Sequence, residues 1–446
     1  MRYWSDGNGR TAGVLGLGRS GRAAARLLQG RGFSVIGMDS DPSCGGCEYC
    51  RKVMVGRRQE EALGELDGLV LSPGVDPSSE IPSAADDRGI PVVGEIELAG
   101  QFATAPVLAV TGSNGKTTTV EWLGFTLSRA GYEACVTGNM GYPFSQAVLE
   151  RPDSDFFVVE VSSYQLQTIE SFRARTAAIL NVTPDHLTRH GSMEGYIRAK
   201  SRIFMNQRPE DSLVLNADDP VSVNFMGLTE GLELHFSLRR EVRTGACVED
   251  DSIVMAWNGS RERLMGTEKV ALPGRHNLAN ALAVVCMART VGLDSSRMLP
   301  GLRDFGGVPH RLEEVRNLDG VLYVNDSKST NIDSLRVALE AQSRPVILIA
   351  GGRAKQGDYS QLAQLVGDRV KVAVLIGEGA QTLKRAWNDV TEARTIERLD
   401  GAVRVAREAA ETGDVVLLSP GCASFDQYRD FEERGEHFKA LVEDLR

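Results

Sequence analysis

The chain lacks any apolar run long enough to cross a bilayer; stretches such as Val346 to Ala350 fall far short of the roughly 20 residues a membrane helix needs. Its opening MRYWSDGNGR is polar and has no apolar signal-peptide core, so a soluble, cytoplasmic protein with no membrane partner is expected. Long runs of Lys and Arg are missing too. With 60 acidic against 50 basic residues the formal net charge is −10, which disfavours a nucleic-acid partner held through phosphate neutralisation. Any phosphate is expected to be gripped locally. Cysteine is sparse and odd in number, seven, without a secretory context, so reduced thiols are expected rather than a disulfide framework. Cys44, Cys47 and Cys50 form a CxxCxxC cluster, but a closed zinc site needs a fourth ligand that this spacing does not supply, and no stoichiometric zinc is expected. About one zinc per chain by elemental analysis, lost on Cys44→Ser with Cys47→Ser, would contradict that. Neither a short-period repeat nor a low-complexity tract is present.

What is present is a globular composition, 42% hydrophobic and 25% charged, over 446 residues, enough for about three domains. From Ala12 the order is apolar strand AGVLGLG, helix RSGRAAARLLQGRG and strand FSVIGMD, the start of a Rossmann-like βαβ unit. A second strand, VLAVTG, enters a glycine turn and the helical TTTVEWLGFTLSRAGY. DFFVVEVSS, TAAILNV and DSLVLNA follow as strand candidates. Beyond GLRDFGGVPHR, the strands GVLYVNDS, RPVILIAGG, VKVAVLIG and DVVLLSPG alternate with helix-length segments. The predicted fold is α/β in three domains: Rossmann-like 1–98, a P-loop-type 99–306 with a mainly parallel sheet, and Rossmann-like 307–446.

Gly16-Leu17-Gly18-Arg19-Ser20-Gly21 is a full GxGxxG between strand and helix, and Asp39 ends the next strand about 20 residues on. Alone it reads as NAD binding. Its physics, glycines admitting a pyrophosphate at a helix N-terminus, serves any nucleotide diphosphate, and tight strand-to-helix packing without a ligand is the plainer alternative. Thr111-Gly112-Ser113-Asn114-Gly115-Lys116-Thr117-Thr118 is more specific, because a strand feeds a glycine turn, a lysine and a hydroxyl at a helix start. Backbone N–H groups would cradle phosphate, Lys116 would offset β/γ charge and the Thr117 hydroxyl suits Mg2+. Val110 stands where ordinary Walker spacing has glycine, so the loop is a variant form.

TGSNGKTT, then GNMG, EVSSYQL, NVTPDHLTRHGS, RAKSRIF, GRHNLANALA, PHRLE, NDSKSTN and LLSPGCASFDQY, in that order, resemble the Mur ligase family from end to end. GLGRSG, the SPGV at Ser72–Val75 and SPGCASFDQYRDFEERG imply D-glutamate as the added amino acid. The resemblance implies ATP-dependent joining of D-glutamate to UDP-N-acetylmuramoyl-L-alanine through an acyl phosphate, by a protein expected to be a monomer. Two anions must meet in such a reaction, so metals and lysines have repulsion to offset.

By the same resemblance, Thr117 and Glu160 would hold one Mg2+, and His186 a second, with Mn2+ as an alternative metal. Lys200 falls where the family carries a carbamylated lysine, also a metal ligand. The implied nucleotide contacts are the Gly112–Thr118 loop, Asn277 and Asn280 near adenine, Arg311 near phosphate and Asp326 near ribose. Asn139, Ser162 and Gln165 would contact the muramoyl-alanine, although cap and turn roles explain Asn139 and Ser162 equally. Lys328, Thr330, Lys355, Ser424, Phe425 and Phe431 would serve the catalytic centre and the glutamate. Arg19, Ser20, Asp39, Ser40, Ser72 and Gly74 would approach uridine and diphosphate; Asp41 replaces a basic residue of some relatives. Without the resemblance, Lys200 reads as a solvated helix lysine and His186 as a loop histidine. An NAD-dependent oxidoreductase leaves TGSNGKTT unexplained, and a plain NTPase leaves Glu160, His186, Lys200 and Lys328 without a use.

Overall fold

The structure, a computed structural model, describes residues 4, 7–139, 141–354 and 358–445. It divides into two compact units, Met1–Leu272 with Asn277–Phe305, and Pro273–His276 with Gly306–Arg446. The first unit holds two sheets and the second holds one.

The first sheet contains β1 (Thr11–Leu15), β2 (Ser34–Asp39), β3 (Lys52–Val55), β4 (Gly68–Leu71) and β5 (Val92–Gly94). Its order is β3-β2-β1-β4-β5 with every neighbour parallel, the Rossmann order. Covered on both faces, the strands must be apolar throughout, and β1 is buried from Ala12 to Leu15. The order reverses between β1 and β4, so the GLGRSG turn and Ser72–Val75 flank the switch point at the strands' carboxyl ends, where α/β sheets bind ligands. Gly21 is forced by packing: a Cβ there would lie 1.8 Å from the Gly16 carbonyl oxygen. Helix Arg19–Gly30 can approach β1 only because that position is bare.

The second sheet contains β6 (Val107–Thr111), β7 (Ala134–Gly138), β8 (Phe156–Glu160), β9 (Thr176–Ile179), β10 (Ser212–Asn216), β11 (Leu232–Ser237), β12 (Gly245–Glu249), β13 (Ser252–Trp257) and β14 (Ser260–Gly266). The order is β14-β13-β12-β11-β10-β9-β6-β8-β7, parallel from β7 to β12 and antiparallel from there to β14. Helix Lys116–Arg129 leaves β6 through the glycine turn. Trp122 on it is fully buried, stacks on Phe305 at 5.1 Å and donates Nε1–H to the Gly301 carbonyl.

Between these two sheets, helix Glu95–Phe102 places a carboxylate in the interior. Glu97 is fully buried and accepts the N–H groups of Glu170 (2.8 Å), Ser171 (3.0 Å) and Phe172 (2.8 Å), plus the Ser171 hydroxyl (2.5 Å). A hydrogen bond to a charged acceptor contributes about 1.5–3 kcal/mol, and stranded donors add their desolvation cost. Glu97→Ala is therefore expected to lose about 3 kcal/mol or more, read as a lower urea midpoint; an unchanged midpoint would show that the clasp carries no stability.

The second unit contains β15 (Glu313–Leu318), β16 (Val321–Asn325), β17 (Val346–Gly351), β18 (Val370–Ile376), β19 (Glu392–Thr395) and β20 (Val415–Leu418). The order is β15-β16-β20-β17-β18-β19, parallel except for the β15–β16 edge hairpin. Asp319 (φ 53°) and Gly320 (φ 80°) turn that hairpin, the two left-handed positions of a type I′ turn. Because β16, β20 and β17 are adjacent and parallel, the loops NDSKST, SPGCASF and GGR all leave one sheet edge. The mixed α/β architecture with mainly parallel sheets agrees with the sequence-based expectation. Among the described residues no helix is long and apolar enough to cross a membrane.

Candidate active site

The turn after β6 is built to keep backbone exposed. A Cβ at Gly115 (φ 85°) would lie 2.5 Å from Asn280 Oδ1, so only glycine admits this close approach. Asn181 fixes the turn from β9's end: its Oδ1 accepts Asn114 N–H at 2.8 Å and its Nδ2 donates to the Asn114 carbonyl at 3.1 Å. The Ser113 hydroxyl donates to the Thr183 carbonyl (2.8 Å) and lies 3.0 Å from the Tyr196 hydroxyl. The sequence assigns no role to Asn181 or Tyr196, although Asn181 opens the NVTPDHLTRHGS motif and Tyr196 stands two residues before RAKSRIF. Thr118 is buried behind the loop, and Asn280 Nδ2 reaches Asn277 Oδ1 at 3.5 Å, both asparagines being buried.

Charge is concentrated at this turn. Lys116 Nζ donates to the carbonyls of Gly112 (2.8 Å) and Ser113 (2.9 Å). Lys200 Nζ donates to the same Gly112 carbonyl at 2.8 Å and to Thr111 Oγ1 at 3.4 Å. Lys200 is 1% exposed, against the solvated lysine that bare sequence suggests. Burial, then repulsion from Lys116, holds its amine well below the ordinary lysine range. A neutral amine is the form that adds CO2, so the site fits the carbamate implied by the resemblance. Tyr196 lies beneath it, with Nζ 4.6 Å from the ring centroid.

Glu160, at β8's end, accepts the Thr117 hydroxyl on Oε2 (2.6 Å) and Asn139 Nδ2 on Oε1 (2.9 Å). An all-oxygen pair from Thr117 and Glu160 fits Mg2+ whose remaining ligands come from phosphate and water. Among the described residues no three His, Cys, Asp or Glu side chains are grouped to hold a metal by themselves. His186 sits at φ 54°, with Nε2 3.4 Å from Asp185 and its ring 4.8 Å from Tyr164. Left-handed backbone at a non-glycine residue costs of order 1 kcal/mol and gathers at functional sites. Neighbouring His190 is pushed down to about 4, first by burial and then by His186 and Lys200. Ser162 and Gln165 form a reciprocal capping box, so their cap role is real: Gln165 Oε1 accepts Ser162 N–H at 2.9 Å.

At the first sheet's switch point, Asp39 Oδ2 accepts Leu17 N–H (2.6 Å) and Oδ1 accepts Asp41 N–H (2.9 Å), so the carboxylate shapes the GLGRSG turn. The Ser72 hydroxyl donates to the Gly16 carbonyl at 2.6 Å. Arg19 Nη1 reaches the Gly141 carbonyl at 3.0 Å, Ser20 is half-buried, and Ser40 and Gly74 are exposed. Cys47 and Cys50 pack with the first sheet's apolar core, and Cys50 is pushed up to about 12, chiefly by burial.

In the second unit, Asp326 is buried, with Oδ2 accepting the Ser419 hydroxyl (2.8 Å) and Oδ1 accepting Leu312 N–H (3.2 Å). Desolvation raises it from 3.8 to about 7. Between those values the folded chain keeps a proton that the unfolded chain has released, so this stabilisation is complete below about pH 4 and is lost as pH rises through 7. Asp326→Asn, neutral at every pH, is expected to gain stability relative to the parent between pH 5 and 7, by up to roughly 1.4 kcal/mol per unit. Urea midpoints whose difference ignores pH would contradict this.

Arg311 lies between two left-handed residues, His310 (φ 64°) and Leu312 (φ 45°), and the His310 carbonyl accepts Lys328 N–H at 3.1 Å. Lys328 Nζ stands 5.4 Å over the Phe431 ring, and Phe431 begins helix Phe431–Glu443. Thr330 is half-buried, Ser424 buried and Phe425 exposed. Lys355 lies outside the described residues. Thus Lys116, Thr117, Asn139, Glu160 and Lys200 converge in the first unit, and Arg311, Asp326, Lys328, Ser424 and Phe431 occupy the strand-end loops of the second and the start of its final helix.

Residues 10–94 match the Mur ligase MurD-like N-terminal domain, 110–288 the Mur ligase middle domain and 310–422 the Mur ligase, glutamate ligase domain. The chain is 42% identical over 450 aligned residues to the UDP-N-acetylmuramoylalanine--D-glutamate ligase of Pelotomaculum thermopropionicum, covering 97% of each chain. It is 44% identical to that of Salinibacter ruber, covering 97% of this chain and 98% of the relative. Among solved structures, a pseudomurein peptide ligase type C from Methanothermus fervidus superposes with TM-score 0.63 at 17% identity, covering 98% of this chain and all of its own. A UDP-N-acetylmuramate-alanine ligase from Thermotoga maritima gives 0.62 at 18%, with the same coverage, so these two share the fold. The chain belongs to the Mur ligase family.

Proposed function

We propose that this protein is an ATP-dependent ligase joining D-glutamate to UDP-N-acetylmuramoyl-L-alanine, with release of ADP and phosphate, in the cytoplasmic synthesis of peptidoglycan precursors. The observation that carries the reading is the convergence, at the carboxyl ends of the adjacent strands β6, β8 and β7, of Lys116, the Thr117–Glu160–Asn139 chain and the buried Lys200. Full-length similarity to relatives bearing that activity's name supports the substrates.

The Gly112–Thr118 loop grips the nucleotide phosphates through backbone N–H groups, with Asn277 and Asn280 near the base and Arg311 and Asp326 reaching phosphate and ribose. Thr117 and Glu160 would hold one Mg2+, and His186 with Lys200, as its carbamate, would hold a second; such ions, Mg2+ or alternatively Mn2+, would supply positive charge where carboxylate and triphosphate meet. Lys116 offsets charge on the transferring phosphoryl group. Asn139, Ser162 and Gln165 orient the muramoyl-alanine carboxylate. One of its oxygens bonds to the γ-phosphorus as ADP departs. The glutamate amine, held by Lys328, Thr330, Lys355, Ser424, Phe425 and Phe431, then attacks the carbonyl carbon. It loses a proton, and phosphate leaves with that carboxylate oxygen. Arg19, Ser20, Asp39, Ser40, Ser72 and Gly74 hold the uridine diphosphate. The partition into 1–98, 99–306 and 307–446, and a monomeric state, belong to the same reading.

Oxygen bookkeeping tests it. With 18O in the L-alanyl carboxylate, one label per turnover is expected in released phosphate; unlabelled phosphate accompanying amide product would exclude the acyl phosphate.

A further inference from the structure

Helix Phe431–Glu443 buries a whole guanidinium. Arg434 is 1% exposed, and its partners are neutral: Ser327 Oγ (3.0 Å from Nε), the Ser327 carbonyl (2.8 Å from Nη2) and the Cys422 carbonyl (3.3 Å from Nη1, 3.4 Å from Nη2). Among the described residues no carboxylate pairs with it; Asp426 and Asp326 act on it only through space. Both have other partners, Asp426 Oδ2 accepting Glu378 N–H and Asp326 accepting Ser419 and Leu312. Burial lowers Arg434 to about 10, which leaves it cationic at neutral pH.

Its position is as informative as its charge. Ser327 immediately precedes Lys328 on the loop after β16, and Cys422 lies two residues before Ser424 on the loop after β20. The third loop passes close by: a Cβ at Gly352, just after β17, would lie 3.2 Å from Arg434 Nη1, and Arg353 N–H binds the Ala423 carbonyl at 2.8 Å. One guanidinium therefore ties the loops after β16 and β20 and lies beside the loop after β17, which the Arg353–Ala423 backbone pair joins to the same group. Hydroxyl and carbonyl partners accept from its nitrogens, yet no carboxylate among the described residues touches it, a costly arrangement in a dry interior. Neutral hydrogen-bonding side chains would tie loops at less cost. A cation kept without a counter-ion points to an anion that arrives later.

We propose that Arg434 is a specificity-determining positioning residue for the acidic amino acid. It locks the loops carrying Lys328, Thr330 and Ser424 and makes their surface positive, so that a dicarboxylic amino acid is favoured over a neutral one. This rests on the proposed function. The plainer alternative is a strut with no electrostatic part.

Arg434→Met keeps most of the length and removes the charge; Arg434→Lys keeps the charge and loses the fork. Steady-state KM for D-glutamate, ATP and UDP-N-acetylmuramoyl-L-alanine, with a melting curve for each variant, separates the readings. The methionine variant is expected to raise KM for D-glutamate about tenfold, the scale of one unit charge acting over roughly 10 Å at an effective dielectric near 20. The other two KM values are expected to stay within about twofold, and the lysine variant to recover much of the loss. An unchanged KM for D-glutamate in folded Arg434→Met, or an equal rise in all three, overturns the proposal. If the methionine variant does not melt cooperatively, Arg434→Gln against Arg434→Lys decides by the same criterion. A parent protein without D-glutamate-dependent turnover overturns the functional reading and this inference with it; parent turnover with an unaltered variant KM overturns this inference alone.

Discussion

Lys200→Met is expected to lose about 10²–10³-fold in kcat while remaining folded, the usual effect of removing one preorganised charge from a transition state. The side chain is fully enclosed and its Nζ is fixed by Gly112 and Thr111, so methionine fills the same space without the polar end. Two nitrogens, Lys116 and Lys200, share the Gly112 carbonyl, and repulsion favours one of them being neutral. Burial lowers the Lys200 pKa further, and on the proposed reading this favours uptake of CO2 to give the anion that would serve a second metal. Parent protein stripped of CO2 is therefore expected to lose turnover and regain it with bicarbonate, and Lys200→Met to show no bicarbonate response. Full activity in Lys200→Met would contradict both expectations.

Lys116→Met is expected to fall about 10³-fold or more in kcat/KM, because on the proposed reading it removes the charge opposite the transferring phosphoryl group. Its loss also removes the repulsion that helps to hold Lys200 neutral, so the variant's Lys200 binds a proton more readily. The two substitutions are consequently coupled: the double variant is expected to be little worse than the poorer single one. Losses that multiply would show two independent roles. Melting curves for all three variants separate these effects from unfolding.

The parts of this architecture readable in the sequence are those where local chemistry and tertiary demand coincide. β1, β6 and β17 read as strands because a parallel strand covered on both faces must be apolar throughout. GLGRSG and TGSNGKTT read as turns because Gly21 and Gly115 stand where any side chain would collide. Asn258-Gly259 and Asp319-Gly320 signal the hairpins β13–β14 and β15–β16, but the edge strands β14 and β15 are largely uncovered and carry too little apolar alternation to be read as strands from sequence. What stays hidden depends on partners distant in sequence. Nothing near Glu97 announces that residues 170–172 will close on it, and nothing near Arg434 announces Ser327, 107 positions away. Lys200 and His186 are legible only through the family resemblance, because the burial of one and the left-handed backbone of the other arise from tertiary structure that no local pattern signals.

The measurement closest to the central claim is phosphate release from ATP and Mg2+ with UDP-N-acetylmuramoyl-L-alanine, in parallel with D-glutamate, L-glutamate and no amino acid, with the product's mass determined. Release that requires D-glutamate, matched by a product heavier by one glutamate less one water, is the expected result. Release without any amino acid, or none with D-glutamate, would contradict the assignment.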